Sequence, residues 1–134
     1  MTPPLPRLAL VLSLLLASVT LPALPAQEAA QTQRPRFIYL LSLVERLHTD
    51  AGWTKADEEI ISRHFRHLKA ATEQGQAIVV GRTLEAGDKT FGLVIFEADS
   101  PEAAQTFAES DPAVTGGIMT VEVRPFALVL MRKM

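Results

Sequence analysis

TFGLVIFEADSPEAAQTFAESDP, residues 90–112, decides the architecture. Its first nine residues are dominated by apolar strand formers and lie between polar Lys89 and Asp99, the pattern of a β-strand. Asp99-Ser100-Pro101-Glu102 follows at once. A capping side chain, a proline in the first turn and an acid are what the free N–H groups of a helix start require. The helix is predicted to run to about Glu109, with Ala103, Ala104, Phe107 and Ala108 facing inward. Asp111-Pro112 then opens a short turn that ends at Gly116-Gly117. Upstream, residues 76–84 (QAIVVGRTL) form another strand, and the intervening 85–89, with Gly87-Asp88, is a turn. The two strands therefore pair as an antiparallel hairpin.

Further outward, residues 54–75 read as a helix. Thr54 caps it, Asp57 reaches back as in a capping box, and Gly75 closes it. Ala56, Ile60, Ile61, Phe65, Leu68 and Ala71 fall on one arc of about 140°, with Arg63, Arg66, Lys69 and Glu73 outside it. Residues 37–44 (FIYLLSLV) form the first strand and 118–126 the last; 127–131 (ALVLM) are either a short extra strand or a tail. The order β-α-β-β-α-β predicts an α+β, ferredoxin-like fold: a four-stranded antiparallel sheet with two helices on one face. A sheet with one wet face should alternate apolar and polar residues. Here Val79 and Val80 are adjacent, as are Leu93, Val94, Ile95 and Phe96, so both faces are apolar. The helices cover one face and the chain is too short for a third layer. A homodimer through the sheet face is therefore expected.

The chain of 134 residues allows one domain. Arg7, the apolar run 8–21 and the small-residue exit up to Ala26 have the pattern of a signal peptide over 1–26, predicting a periplasmic or secreted protein. The run is shorter than the ~20 residues that cross a bilayer, so no stable membrane insertion is expected after cleavage. Residues 27–35 read as a flexible polar leader and 36–134 as the domain. The absence of cysteine excludes disulfides and thiolate metal sites, so packing alone must hold a small core, and dimerisation would assist it. A formal net charge of −2 gives no reason to expect nucleic acid or an anionic membrane as partner.

His64 stands out because it projects between Ile60 and Leu68, inside the apolar arc. A buried imidazole needs partners, and a nearby carboxylate beside a cavity would make it a general base or acid. A core histidine satisfied by a backbone carbonyl is the alternative. His48 lies in a polar loop and His67 just outside the arc. His64 and His67 have metal-compatible spacing but no evident third ligand, so no metal is expected. Asp111, before Pro112, is a natural helix cap, and spacing alone does not join it to His64. Arg82, in an otherwise apolar strand, either reaches an anionic ligand or turns out at the sheet margin.

Four stretches in order resemble the YCII-related family, small ferredoxin-like proteins of the dimeric α/β barrel type: HFRHLKAATEQG (64–75), AIVVGRT (77–83), FGLVIFEADSPEAAQTFAESDP (91–112) and GGIMTVEVRPF (116–126). The resemblance implies that His64 and Asp111 match the family's histidine and aspartate, from which an enzymatic role has been inferred. Where the family has Gly-Pro this chain has Gly81-Arg82, which brings a cation toward the expected cleft. Together these features predict a small-molecule enzyme using a His64–Asp111 pair in a lyase, dehydrochlorinase-like or hydrolytic proton transfer, with Arg82 in substrate binding and no cofactor required. The alternative is a non-catalytic periplasmic dimeric module that holds a small ligand in the same pocket.

Overall fold

The computed structural model describes residues 33–132, so the export segment expected over 1–26 lies outside the described residues. The chain folds as β1 (Arg36–Leu43), α1 (Lys55–Glu73), β2 (Ala77–Arg82), β3 (Phe91–Glu97), α2 (Pro101–Glu109), α3 (Pro112–Thr115) and β4 (Met119–Pro125). All strand pairs are antiparallel and the sheet order is β2-β3-β1-β4, the ferredoxin-like arrangement expected from the element order. Residues 127–132 add no strand. Of the segment expected as a leader, Arg34 pairs with Asp99 at 2.9 Å and the Pro35 carbonyl accepts from the Ala98 amide at 3.1 Å.

Strand alternation divides the sheet into two faces. Phe37, Tyr39, Leu41, Val94 and Phe96 are buried against Leu68 and Ala71 of α1 and Ala104 and Ala108 of α2. The rings of Tyr39, Phe96 and Phe107 form the centre of this core, with centroids 4.9–6.1 Å apart. The opposite face carries Ile38 beside Ile95, Leu40 beside Leu93, and Val79 beside Ile95. These side chains are only half-buried or exposed, and no element among the described residues covers them.

Helix α1 starts as its sequence requires. Thr54 Oγ1 accepts from the Asp57 amide while the Asp57 carboxylate accepts from the Thr54 amide, a reciprocal capping box. At the other end Gly75 takes a positive φ of 77°. The inward arc is narrower than the periodicity predicts. Leu68 and Ala71 are buried and Ile60 and Ile61 half-buried, but Ala56 is exposed and Phe65 is 65% exposed. Ala103 of α2, also expected inward, is exposed, whereas Ala104 and Ala108 are fully buried.

Candidate active site

Asp111 is held by the start of α3. Its Oδ1 accepts from the Ala113 amide at 2.9 Å, so the side chain caps the short helix that follows Pro112. Helix α3 packs closely on α1. A Cβ at Gly116 would come within 2.9 Å of the Ile60 side chain and 2.8 Å of the Pro112 carbonyl, so only glycine permits the approach. That approach brings Asp111 to His64, one turn beyond Ile60. The His64 Nδ1–H donates to Asp111 Oδ1 over 2.6 Å. On the other side the Tyr39 hydroxyl donates to Asp111 Oδ2 over 2.9 Å. The pairing crosses 47 residues from His64 and 72 from Tyr39.

Asp111 is completely buried, and that burial is the largest influence on its carboxyl, acting upward. Hydrogen bonds from His64, the Ala113 amide and Tyr39, with the attraction of the His64 ring, outweigh it and hold the group below the ordinary carboxylate range. The Tyr39 phenol is pushed far above its ordinary value, first by burial, then by the charge of Asp111 and the hydrogen bond it donates there. Tyr39 therefore remains a donor and clamps the carboxylate. An ionised carboxylate only accepts, so it fixes the proton of His64 on Nδ1 and leaves Nε2 as the accepting nitrogen of the ring. Nε2 takes no hydrogen-bond partner among the described residues. The His64 side chain keeps 16% of its surface accessible.

That accessible surface faces a cleft of about 920 Å³ between α1 and the sheet. Ile61, Phe65 and Leu68 form its helix wall; Leu41, Val80 and Phe91 lie on its sheet side, and Trp53 also lines it. Trp53 is held there because its Nε1–H donates to the Leu47 carbonyl at 3.1 Å. The turn bearing Leu47 is itself tied to α1 by Arg46, which makes two hydrogen bonds, of 2.9 and 2.6 Å, to the Asp57 carboxylate. Arg82 lies on the helix-facing side of β2, paired with Gly92, and also lines the cleft. Its guanidinium donates to the Thr83 carbonyl at 3.3 Å and forms no ion pair among the described residues.

The structure thus brings together His64, Asp111 and the cleft, with Arg82 on the same cavity. Sequence reasoning missed Tyr39. The signal for it was the lone phenol within an apolar strand, whose hydroxyl needs a partner when buried. His48 is accounted for by its Nε2 lying 3.1 Å from the Leu43 carbonyl. His67, read as lying just outside the arc, is half-buried and stacks on Phe107 with centroids 5.4 Å apart. Among the described residues no three His, Cys, Asp or Glu side chains are grouped to hold a metal ion.

No curated protein matches the chain. Among solved structures it is similar to 5-chloro-2-hydroxyhydroquinone dehydrochlorinase from Burkholderia phenoliruptrix AC1100, determined in complex with 2,5-dihydroxybenzoquinone. The two are 22% identical, with a TM-score of 0.44, over 67% of this chain and 93% of the other. A model of the YCII-related domain matches residues 41–127, more than half of the sequence, from the last residues of β1 through β4; the chain belongs to the YCII-related family.

Proposed function

We infer that the protein is a small-molecule enzyme whose reaction turns on proton transfer at His64 Nε2. The observation that carries this reading is the 2.6 Å bond from His64 Nδ1 to a buried Asp111, with the other face of the ring on an open cleft. Such a carboxylate fixes the tautomer and stabilises the imidazolium that forms when Nε2 takes a proton. His64 takes a proton from the bound molecule, or from the attacking water in a hydrolytic step, and passes it to the leaving group or a product carbon, or to solvent where chloride departs as the anion. Arg82 holds an anionic group of the substrate. Nothing in these steps calls on a metal or organic cofactor. The uncovered apolar sheet face supports a homodimer, and the N-terminal 26 residues support export to the periplasm or beyond. Mass spectrometry of the protein from cells tests the export: a mature N-terminus at Gln27 is expected, and an intact Met1 on all of it overturns the location.

The catalytic reading is tested with a substrate found by thermal-shift screening of small organic acids followed by turnover assay. His64→Ala is expected to lower kcat by about 10²–10⁴-fold while the ligand still shifts the melting temperature. Equal turnover by His64→Ala overturns the assignment. Retained binding with no turnover by the wild-type protein points instead to a ligand-holding module.

A further inference from the structure

Two of the seven glycines are not required by the fold. Gly75, Gly87 and Gly117 take positive φ, and at Gly52 and Gly116 a Cβ would collide with neighbouring atoms. Gly81 and Gly92, inside β2 and β3, meet neither condition. A Cβ at Gly92 would approach nothing closer than 3.5 Å, an ordinary contact with Leu41. Pairing on both sides of Gly92 is regular, so no bulge accounts for it. Glycine inside a strand costs stability, because it packs no side chain and loses the most backbone freedom. Where neither conformation nor contact demands it, close approach of a ligand to the backbone is the remaining reason.

Strand alternation separates the two positions. Gly81 pairs with Leu93 and belongs to the open face of the sheet. Gly92 pairs with Leu41 on one side and Arg82 on the other; all three belong to the helix-facing side and line the cleft. The row Leu41–Gly92–Arg82 is thus a floor with a gap at its centre. His64 stands level with it. Helix α1 and strand β2 leave the same turn at Gly75. His64 is ten residues back from Gln74, about 15 Å of helix, and Gly92 is four residues along β3 from the Ala77–Phe96 pair, about 13 Å of strand. The ring shares Asp111 with Tyr39 of β1, which sets it toward the Leu41 end of the row. Arg82 stands at the other end, two strand spacings or about 10 Å from β1. Of the other charged groups in the lining, Lys69 is paired with Glu73, and Glu58 lies in the first turn of α1, away from the row. Arg82 has no carboxylate partner among the described residues.

We propose that Gly92 determines which substrate the cleft accepts: its missing side chain leaves the floor on which the apolar body of a carboxylate lies, with the anionic end on Arg82 and the reacting atom at His64 Nε2. The substrate class is then an apolar monocarboxylate whose reacting atom is several bonds from its anionic end. The place of the reacting atom rests on the proton-transfer reading; the mode of binding does not.

Trp53, the only tryptophan of the chain, lines the cleft and reports binding by fluorescence. The probes are octanoate and its uncharged counterpart octan-1-ol, titrated into wild type, Gly92→Ala, Gly92→Val and Arg82→Gln. Gly92→Ala is expected to weaken octanoate binding about tenfold and Gly92→Val further, because each added methyl fills the floor. Both variants are expected to unfold at the same urea concentration as wild type or a higher one, since a strand gains from a side chain. Octan-1-ol is expected to follow octanoate in the Gly92 variants. Arg82→Gln is expected to weaken octanoate about two- to fivefold, the range of an exposed ion pair, and to leave octan-1-ol unchanged. Failure of the wild-type protein to bind octanoate overturns the proposal, as does equal affinity in wild type and Gly92→Val. A fall in the urea midpoint of Gly92→Ala also overturns it, because the glycine would then be a requirement of the fold. If Gly92→Val does not fold, Gly92→Ala decides alone. With a turned-over acid, Gly92→Ala is expected to raise KM with little change in kcat, whereas His64→Ala lowers kcat. Octanoate binding as described with no acid turned over would end the catalytic reading and leave the floor standing. A substrate that needs His64 but has the same KM in Gly92→Ala would do the reverse.

Discussion

Asp57 and Asp111 are the two buried acids of the described chain, and both cap a helix. Asp57 is satisfied by Arg46 first and by Thr54, which hold its carboxyl well below the ordinary range. Arginine stays charged at any working pH, so this site has one state. Asp111 is satisfied by an imidazole, a phenol and one amide. Its chief partner is an imidazole, which has a second nitrogen and keeps part of its surface on a cleft. The same capping role therefore yields a fixed staple at one end of α1 and, near its middle, the site proposed above for proton transfer. What separates them is the partner and its access to a cavity, not the burial of the acid.

The sharpest way to break this comparison is to remove each carboxylate. Asp111→Ala strands the Tyr39 hydroxyl and the His64 ring beside a new void and uncaps α3. Breaking a buried pair in this way is expected to cost about 3–5 kcal/mol, read from urea unfolding, and to abolish turnover. Asp57→Ala removes a cap and an ion pair that is half-exposed on the Arg46 side. A smaller loss of stability is expected, with kcat and KM unchanged. Equal losses of activity in the two variants would show that both act only through the fold.

The contrast also marks how far the sequence could be read. Asp57 lies three residues from Thr54, and a capping box is a local pattern, so the staple was legible directly. His64 and Asp111 are 47 residues apart, and no spacing rule joins them; the family resemblance paired them. Gly116 was read as a turn residue, whereas its essential property is the missing side chain that lets α3 approach Ile60. The helical projection placed Phe65 with the core because periodicity gives angles around a helix but says nothing of what lies opposite. Below Phe65 the sheet and helix diverge into the cleft, so the ring stands at its mouth. The order of the elements and the hairpin pairing came through intact, since apolar runs, turns and caps are all short-range signals.

Tyr39→Phe sharpens the same comparison with the smallest expected effect. The ring is retained within its aromatic cluster, so only the bond to Asp111 Oδ2 is lost, at about 1–2 kcal/mol near neutrality. The sign of its pH dependence follows from the carboxyl. Asp111 is depressed in the folded state, so its contribution is full above the unfolded carboxylate value of about 3.9 and fades as the pH falls through the folded value. The Tyr39 hydroxyl is one cause of that depression, and removing it brings the folded value back toward the unfolded one. The difference in urea midpoint between wild type and Tyr39→Phe is therefore expected to be larger at pH 6 than at pH 3. A difference that stays constant on acidification would mean that the hydroxyl stabilises the fold without regard to the charge on Asp111. The Arg46–Asp57 staple makes no contact with Tyr39, so an Asp57→Ala background should leave the Tyr39→Phe difference unaltered at either pH.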